Sequence, residues 1–121
     1  MNMPQTWRGK TFRDLVNDAK ATIDEVDQAT FRQWLADQKE MVVLDVREGA
    51  DFQLGNIPGA THISRGILEL EIDEVVPNQD KTIVAYCGGG SRSALAAQTL
   101  KAMGYENVYS LAGGYKQWIQ G

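Results

Sequence analysis

Two short apolar runs constrain this chain most: Met41-Val42-Val43-Leu44-Asp45-Val46 and Thr82-Ile83-Val84-Ala85-Tyr86. Both are rich in β-branched residues and lack the polar alternation of a strand with one wet face. They read as strands buried on both sides, a pattern typical of parallel sheets. Parallel strands need crossover connections, and helical patterns fill the intervals. Residues 11–20 predict a short amphipathic helix, with Thr11 and Asp14 as a capping pair and Phe12, Leu15, Val16 and Ala19 along one stripe. A second helix fits residues 28–38, capped by Asp27, with Phe31, Trp34 and Leu35 on one face.

The alternation continues downstream. Pro58-Gly59 marks a turn within residues 55–60, Thr61-His62-Ile63 suits a short strand, and residues 66–75 read as partly helical. After the second buried run a Gly-rich loop begins at Cys87, followed by a helix over about 93–103 that Gly104 can end in the left-handed conformation. Residues 107–111 form the last strand, and Tyr115, Trp118 and Ile119 face inward from a closing helix. Strands alternating with helices on short connections define an α/β domain with a mostly parallel sheet.

Composition narrows the function classes. A chain of 121 residues, 43% of them apolar, fits one domain with a real core. The single Cys excludes an intramolecular disulfide and, with His62 the only His, any zinc site built from Cys and His clusters. A net charge of −4 argues against nucleic acid or an anionic membrane as partner, without excluding a small basic pocket. The first ten residues lack the apolar stretch of a signal peptide, and no apolar run approaches the ~20 residues of a membrane span. With an unpaired thiol, these features point to the cytoplasm.

The chemistry concentrates in Cys87-Gly88-Gly89-Gly90-Ser91-Arg92-Ser93, between a buried strand and a helix. Ligands in open α/β sheets bind at the carboxyl ends of the strands. Successive glycines let the backbone curl and turn several N–H groups inward, an anion-binding nest at a helix N-terminus. Inward amides, the helix dipole, the Arg92 guanidinium and a hydroxyl from Ser91 or Ser93 all favour the thiolate of Cys87. Thiols in such settings titrate at roughly 3.5–7.5 against about 8.5 for a free thiol. The competing readings are a plain buried Cys or a nucleotide loop. The nucleotide fingerprints fail, because Gly88-Gly89-Gly90 has neither G-x-G-x-x-G spacing nor a following Gly-Lys-Ser/Thr. Cys87 is therefore the candidate nucleophile.

These residues carry a resemblance. The segment 87–93 with Ala94-Leu95-Ala96-Ala97 and Met103-Gly104-Tyr105-Glu106-Asn107-Val108-Tyr109 resembles the catalytic segment of single-domain rhodanese-type sulfurtransferases. Leu44-Asp45-Val46-Arg47-Glu48 is similar to the family's D-x-R-E turn, and Gly55-Asn56-Ile57-Pro58-Gly59-Ala60 to its G-H-I-P-G-A element, with Asn56 in place of His. Gly113-Gly114-Tyr115 with Trp118 is similar to its closing G-G-[FY]-x-x-W, and Arg65-Gly66-Ile67-Leu68-Glu69 to a stretch flanking the active site. The likeness covers about residues 22–120.

The resemblance implies a rhodanese-like α/β fold, a mostly parallel five-stranded sheet with helices on both faces. It divides the chain into an N-terminal extension (1–21) and a rhodanese-like domain (22–121). It also implies ping-pong sulfane-sulfur transfer. Cys87 takes sulfur from thiosulfate, a polysulfide or glutathione persulfide and passes it to cyanide or a thiol, with Gly88, Gly89, Gly90, Ser91, Arg92 and Ser93 holding the charge. No metal or organic cofactor is required. Four residues separate Cys87 from Arg92, the spacer of the sulfurtransferases; the related phosphatases carry five. The loop's one charge, Arg92, and its small side chains suit a bulky persulfide donor better than dianionic thiosulfate. A non-catalytic module acting as persulfide carrier or redox sensor is the alternative.

Other residues read as structural. His62 lies beside a turn, Asp45 and Arg47 at a strand end suit loop anchoring, Tyr115 and Trp118 suit the core, and Glu69, Glu71, Asp73 and Glu74 form a solvated face. The N-terminal helix is a docked appendage or a partner contact, in a monomer or weak homodimer.

Overall fold

The computed structural model describes residues 8–121. Five strands form one sheet in the order β1-β5-β4-β2-β3: β1 (Asp24–Val26), β2 (Val42–Asp45), β3 (Thr61–His62), β4 (Ile83–Tyr86) and β5 (Val108–Leu111). Every pairing is parallel. The two apolar runs are the central neighbours β2 and β4, in the register Val42↔Ile83 to Asp45↔Tyr86. Among the described residues, six α-helices connect and cover the sheet: α1 (Phe12–Lys20), α2 (Gln28–Ala36), α3 (Gly49–Leu54), α4 (Leu68–Val75), α5 (Ser91–Ala102) and α6 (Gly114–Trp118).

Strand alternation splits the core in two. Leu44, Val46, Ile83, Ala85, Cys87 and Val108 face one layer, packed with Leu68 and Ile72 of α4 and Ala96, Ala97 and Leu100 of α5. Val43, Val84, Tyr86 and Leu111 face the other, with Phe31 of α2 and half-buried Trp34, Tyr115 and Trp118. The Trp118 ring meets Phe31 edge-on at 5.8 Å, so this aromatic contact ties α6 to α2. Cys87, first residue after β4, lies on the α5 side at the carboxyl edge of the sheet.

Several local expectations hold. Thr11 and Asp14 make the reciprocal capping box of α1, Asp27 caps α2 through the Thr30 amide, and Gly104 takes φ +106° after α5. Others shift. Helix α5 begins at Ser91, two residues early, because Gly90 adopts the left-handed conformation at its N-cap. Residues 65–67 form a 3-10 turn leading into α4, whose Leu68 and Ile72 are buried while Leu70 is exposed. On α1 only Val16 and Ala19 are buried; Phe12 and Leu15 face solvent, since a nine-residue helix lying on α5 covers a narrow stripe. Ile119 follows the last turn of α6 and is 64% exposed, not inward-facing. No described helix is long and apolar enough to cross a membrane.

Candidate active site

The site is built where β4 runs into α5. Cys87 is only 2% exposed, yet its sulfur faces the loop that follows it. The Gly90 amide donates to Sγ at 3.2 Å and the Ser93 amide at 3.4 Å. The Ser93 hydroxyl lies 3.5 Å from Sγ, accepting from a thiol or donating to a thiolate. Gly90 makes this curl possible: at φ +103° it holds a conformation that residues with a Cβ rarely adopt, and its amide turns back onto the sulfur.

Two opposing forces set the protonation of Cys87. Burial, the largest, pushes the thiol upward; the Ser93 hydroxyl and the Ser93, Gly90 and Gly89 amides pull it down and together prevail. The net direction is downward from the ordinary thiol value, as expected of an anion held by hydrogen bonds in a poorly solvated place. Arg92, expected to contribute its charge, is half-buried and enters no hydrogen bond or ion pair through its side chain among the described residues. The downward pull comes foremost from the serine and the amides.

The loop is held from behind by α6. Its Tyr115 amide donates to the Cys87 carbonyl at 2.8 Å and its Lys116 amide to the Gly88 carbonyl at 3.0 Å. Turning those carbonyls away leaves the Gly90 and Ser93 amides aimed at the sulfur. The close approach rests on Gly114, at φ +57°, where an added Cβ would sit 2.5 Å from the Cys87 oxygen and 2.7 Å from that of Gly88. Neither obstacle is a side chain that can swing aside. Gly114→Ala is expected to destabilise the fold by about 2–4 kcal/mol, read by chemical denaturation, and to slow Cys87 alkylation as the loop tilts.

Beside the loop, a buried ion pair braces the next strand end. Arg47 Nη2 lies 2.7 Å from Asp45 Oδ2 and also donates to the Gly55 carbonyl at 2.6 Å. Its guanidinium carbon sits 4.2 Å from the centre of the Tyr115 ring. His62 Nε2 bonds the Arg47 carbonyl at 2.7 Å and its ring stacks on Phe52. These three residues hold the turn, as their place in the sequence suggested. Gly114 and Ser110, whose hydroxyl lies 2.8 Å from that of Ser93, escaped sequence reasoning as parts of the site. The paired glycines at 113 and 114 were the only signal for the first, and a Ser in an otherwise apolar strand for the second.

A parallel sheet with a hydrogen-bonded cysteine loop at its carboxyl edge defines an α/β domain of the rhodanese type. A family model for the rhodanese-like domain matches residues 27–120, and the chain belongs to that family of sulfurtransferases and sulfur carriers. It is 31% identical over 98 residues to a sulfurtransferase of Allochromatium vinosum, covering 81% of this chain and 90% of that one. It is 32% identical over 98 residues to YrkF of Bacillus subtilis, named as a candidate sulfur carrier, covering 81% of this chain but 52% of that protein. Among solved structures, RPA3614 of Rhodopseudomonas palustris, of unknown function and described as a possible tyrosine phosphatase, superimposes with a TM-score of 0.85. Its sequence is 31% identical, and the match covers 98% of this chain and 96% of that one.

Proposed function

We propose that the protein is a sulfurtransferase whose Cys87 carries sulfane sulfur as a persulfide. The observation that carries this reading is the sulfur facing the Gly90 and Ser93 amides, with the thiol drawn below its ordinary value. In the first half-reaction the thiolate attacks the outer sulfur of the donor. A new S–S bond forms on Cys87, the donor's S–S bond breaks, and its electron pair leaves with sulfite or a thiolate. In the second, cyanide or an acceptor thiolate attacks the outer sulfur and Cys87 departs as thiolate. Each half is a displacement with no net redox change, and the loop from Gly88 to Ser93 stabilises the anion in both.

Donor choice follows from the loop's outer side. A Cβ at Gly88 or Gly89 would meet nothing within 4 Å, and this open space beside the loop supports a bulky donor. Arg92 is the loop's one charge, which favours a thiol persulfide over dianionic thiosulfate. The four-residue spacer between Cys87 and Arg92 supports sulfur over phosphoryl chemistry. In the test, protein is incubated separately with thiosulfate, polysulfide and glutathione persulfide. Intact mass is expected to rise by one sulfur atom, fastest with glutathione persulfide, and not in Cys87→Ser. No adduct with any donor, or robust Cys87-dependent hydrolysis of an aryl phosphate, overturns the reading. The likeness to YrkF favours persulfide carriage as a second reading. Multiple turnover with cyanide or a thiol separates catalyst from carrier.

A further inference from the structure

Ser110 is a polar residue that touches neither the reacting sulfur nor the loop amides around it. It sits in β5 between Ala85 of β4 and Glu25 of the edge strand β1, and it is fully buried while Glu25 is exposed. Strand alternation turns Val108 to the α5 side and Leu111 to the opposite face, so Ser110 shares the face of Ala85 and Cys87. A buried hydroxyl without a partner costs about 1–3 kcal/mol. Among the described residues the Ser110 hydroxyl has one hydrogen-bond partner, the Ser93 hydroxyl, which lies 2.8 Å away and is itself 3.5 Å from Cys87 Sγ.

We infer that Ser110 is a positioning residue: it anchors the Ser93 hydroxyl so that the single Ser93 proton is directed onto the Cys87 sulfur. This rests on the proposed role of Cys87 as nucleophile. A serine hydroxyl has one proton to give. When Ser93 gives it to a thiolate, the link to Ser110 is filled only if Ser110 donates. The row then runs Ser110 to Ser93 to sulfur, with two links and two protons, and nothing is left over. A neutral thiol adds a third proton to the same two links. One hydrogen then has no acceptor in this buried row, so the row favours the anion. Donation from Ser110 also polarises the Ser93 O–H and strengthens its bond to sulfur. Without Ser110, the Ser93 hydroxyl is free to turn toward backbone carbonyls of the loop, as serines near helix ends do.

The test is the pH dependence of Cys87 alkylation by iodoacetamide in the whole protein, for the parent, Ser93→Ala, Ser110→Ala and the double variant, with melting temperatures in parallel. Ser93→Ala is expected to raise the midpoint by about one unit, a tenfold loss of thiolate below it, and Ser110→Ala by about half a unit, roughly threefold. Because Ser110 acts through Ser93, the double variant is expected to match Ser93→Ala alone. Ser110→Thr, which keeps the hydroxyl, is expected to restore the parent midpoint. A Ser110→Ala midpoint equal to the parent's, or an effect that adds in full to that of Ser93→Ala, overturns the assignment and leaves Ser110 a structural tie between β5 and α5. A parent midpoint at the ordinary thiol value overturns the nucleophile reading and this inference together.

Discussion

Cys87→Ser is expected to lower sulfur transfer by roughly a thousandfold or more while leaving the fold intact. Serine is nearly the same size, and its hydroxyl can take the place of Sγ among the Gly90 and Ser93 amides. The cradle persists, but the chemistry does not. A serine hydroxyl is not ionised by a few hydrogen bonds, and oxygen does not replace sulfur as a persulfide carrier. Rates with donor and cyanide, set beside the melting temperature, check this. A variant that keeps a tenth of the parent rate would move the sulfur-carrying atom elsewhere, and no second thiol exists in the chain to take over.

The second large effect is on stability. Asp45 is fully buried, and its carboxylate accepts from the Arg47 amide at 2.9 Å and from the guanidinium through both oxygens. Asp45→Ala leaves the Arg47 guanidinium buried with the Gly55 carbonyl and aromatic rings for company, but no counter-charge. Breaking one side of such a pair costs about 3–5 kcal/mol, which for a domain this size lowers the melting temperature by roughly 10–25 °C. Replacing both partners removes the orphaned charge, so Asp45→Leu with Arg47→Met is expected to cost less than Asp45→Ala alone. Thermal unfolding of the three proteins decides. A double variant less stable than the single one would mean that the pair stabilises by more than mutual neutralisation.

What the sequence revealed follows from how far apart the cooperating residues lie along the chain. Strands β2 and β4 were legible because both faces are buried, which writes an unbroken apolar run. β1 was not: it is a three-residue edge strand with Asp24 and Glu25 exposed and only Val26 in the core, so it leaves no pattern. α3 also escaped, since no residue from Gly49 to Leu54 is buried and no side chain caps its start. The sulfur cradle was legible because its amides are contiguous from Gly88 to Ser93. Ser110 touches Ser93, and Gly114 backs the Cys87 and Gly88 carbonyls, only because β5 lies beside β4 and delivers α6 to the loop. Strand order carries that information, and no local window contains it. The expected contribution of Arg92 shows the converse: adjacency in sequence did not place its guanidinium among the groups that chiefly lower the thiol.

At Cys87, backbone amides and one hydroxyl outweigh burial, and the proposed chemistry depends on that balance. Because the folded thiol is drawn downward, the reactive anion dominates above the lowered midpoint and is lost as pH falls through it. The direct measurement is the rate of Cys87 alkylation by iodoacetamide across pH, with Cys87→Ser as blank. A midpoint clearly below the ordinary thiol value of about 8.5 is the predicted result. A midpoint at or above that value would mean that burial wins and the sulfur rests as an inert thiol.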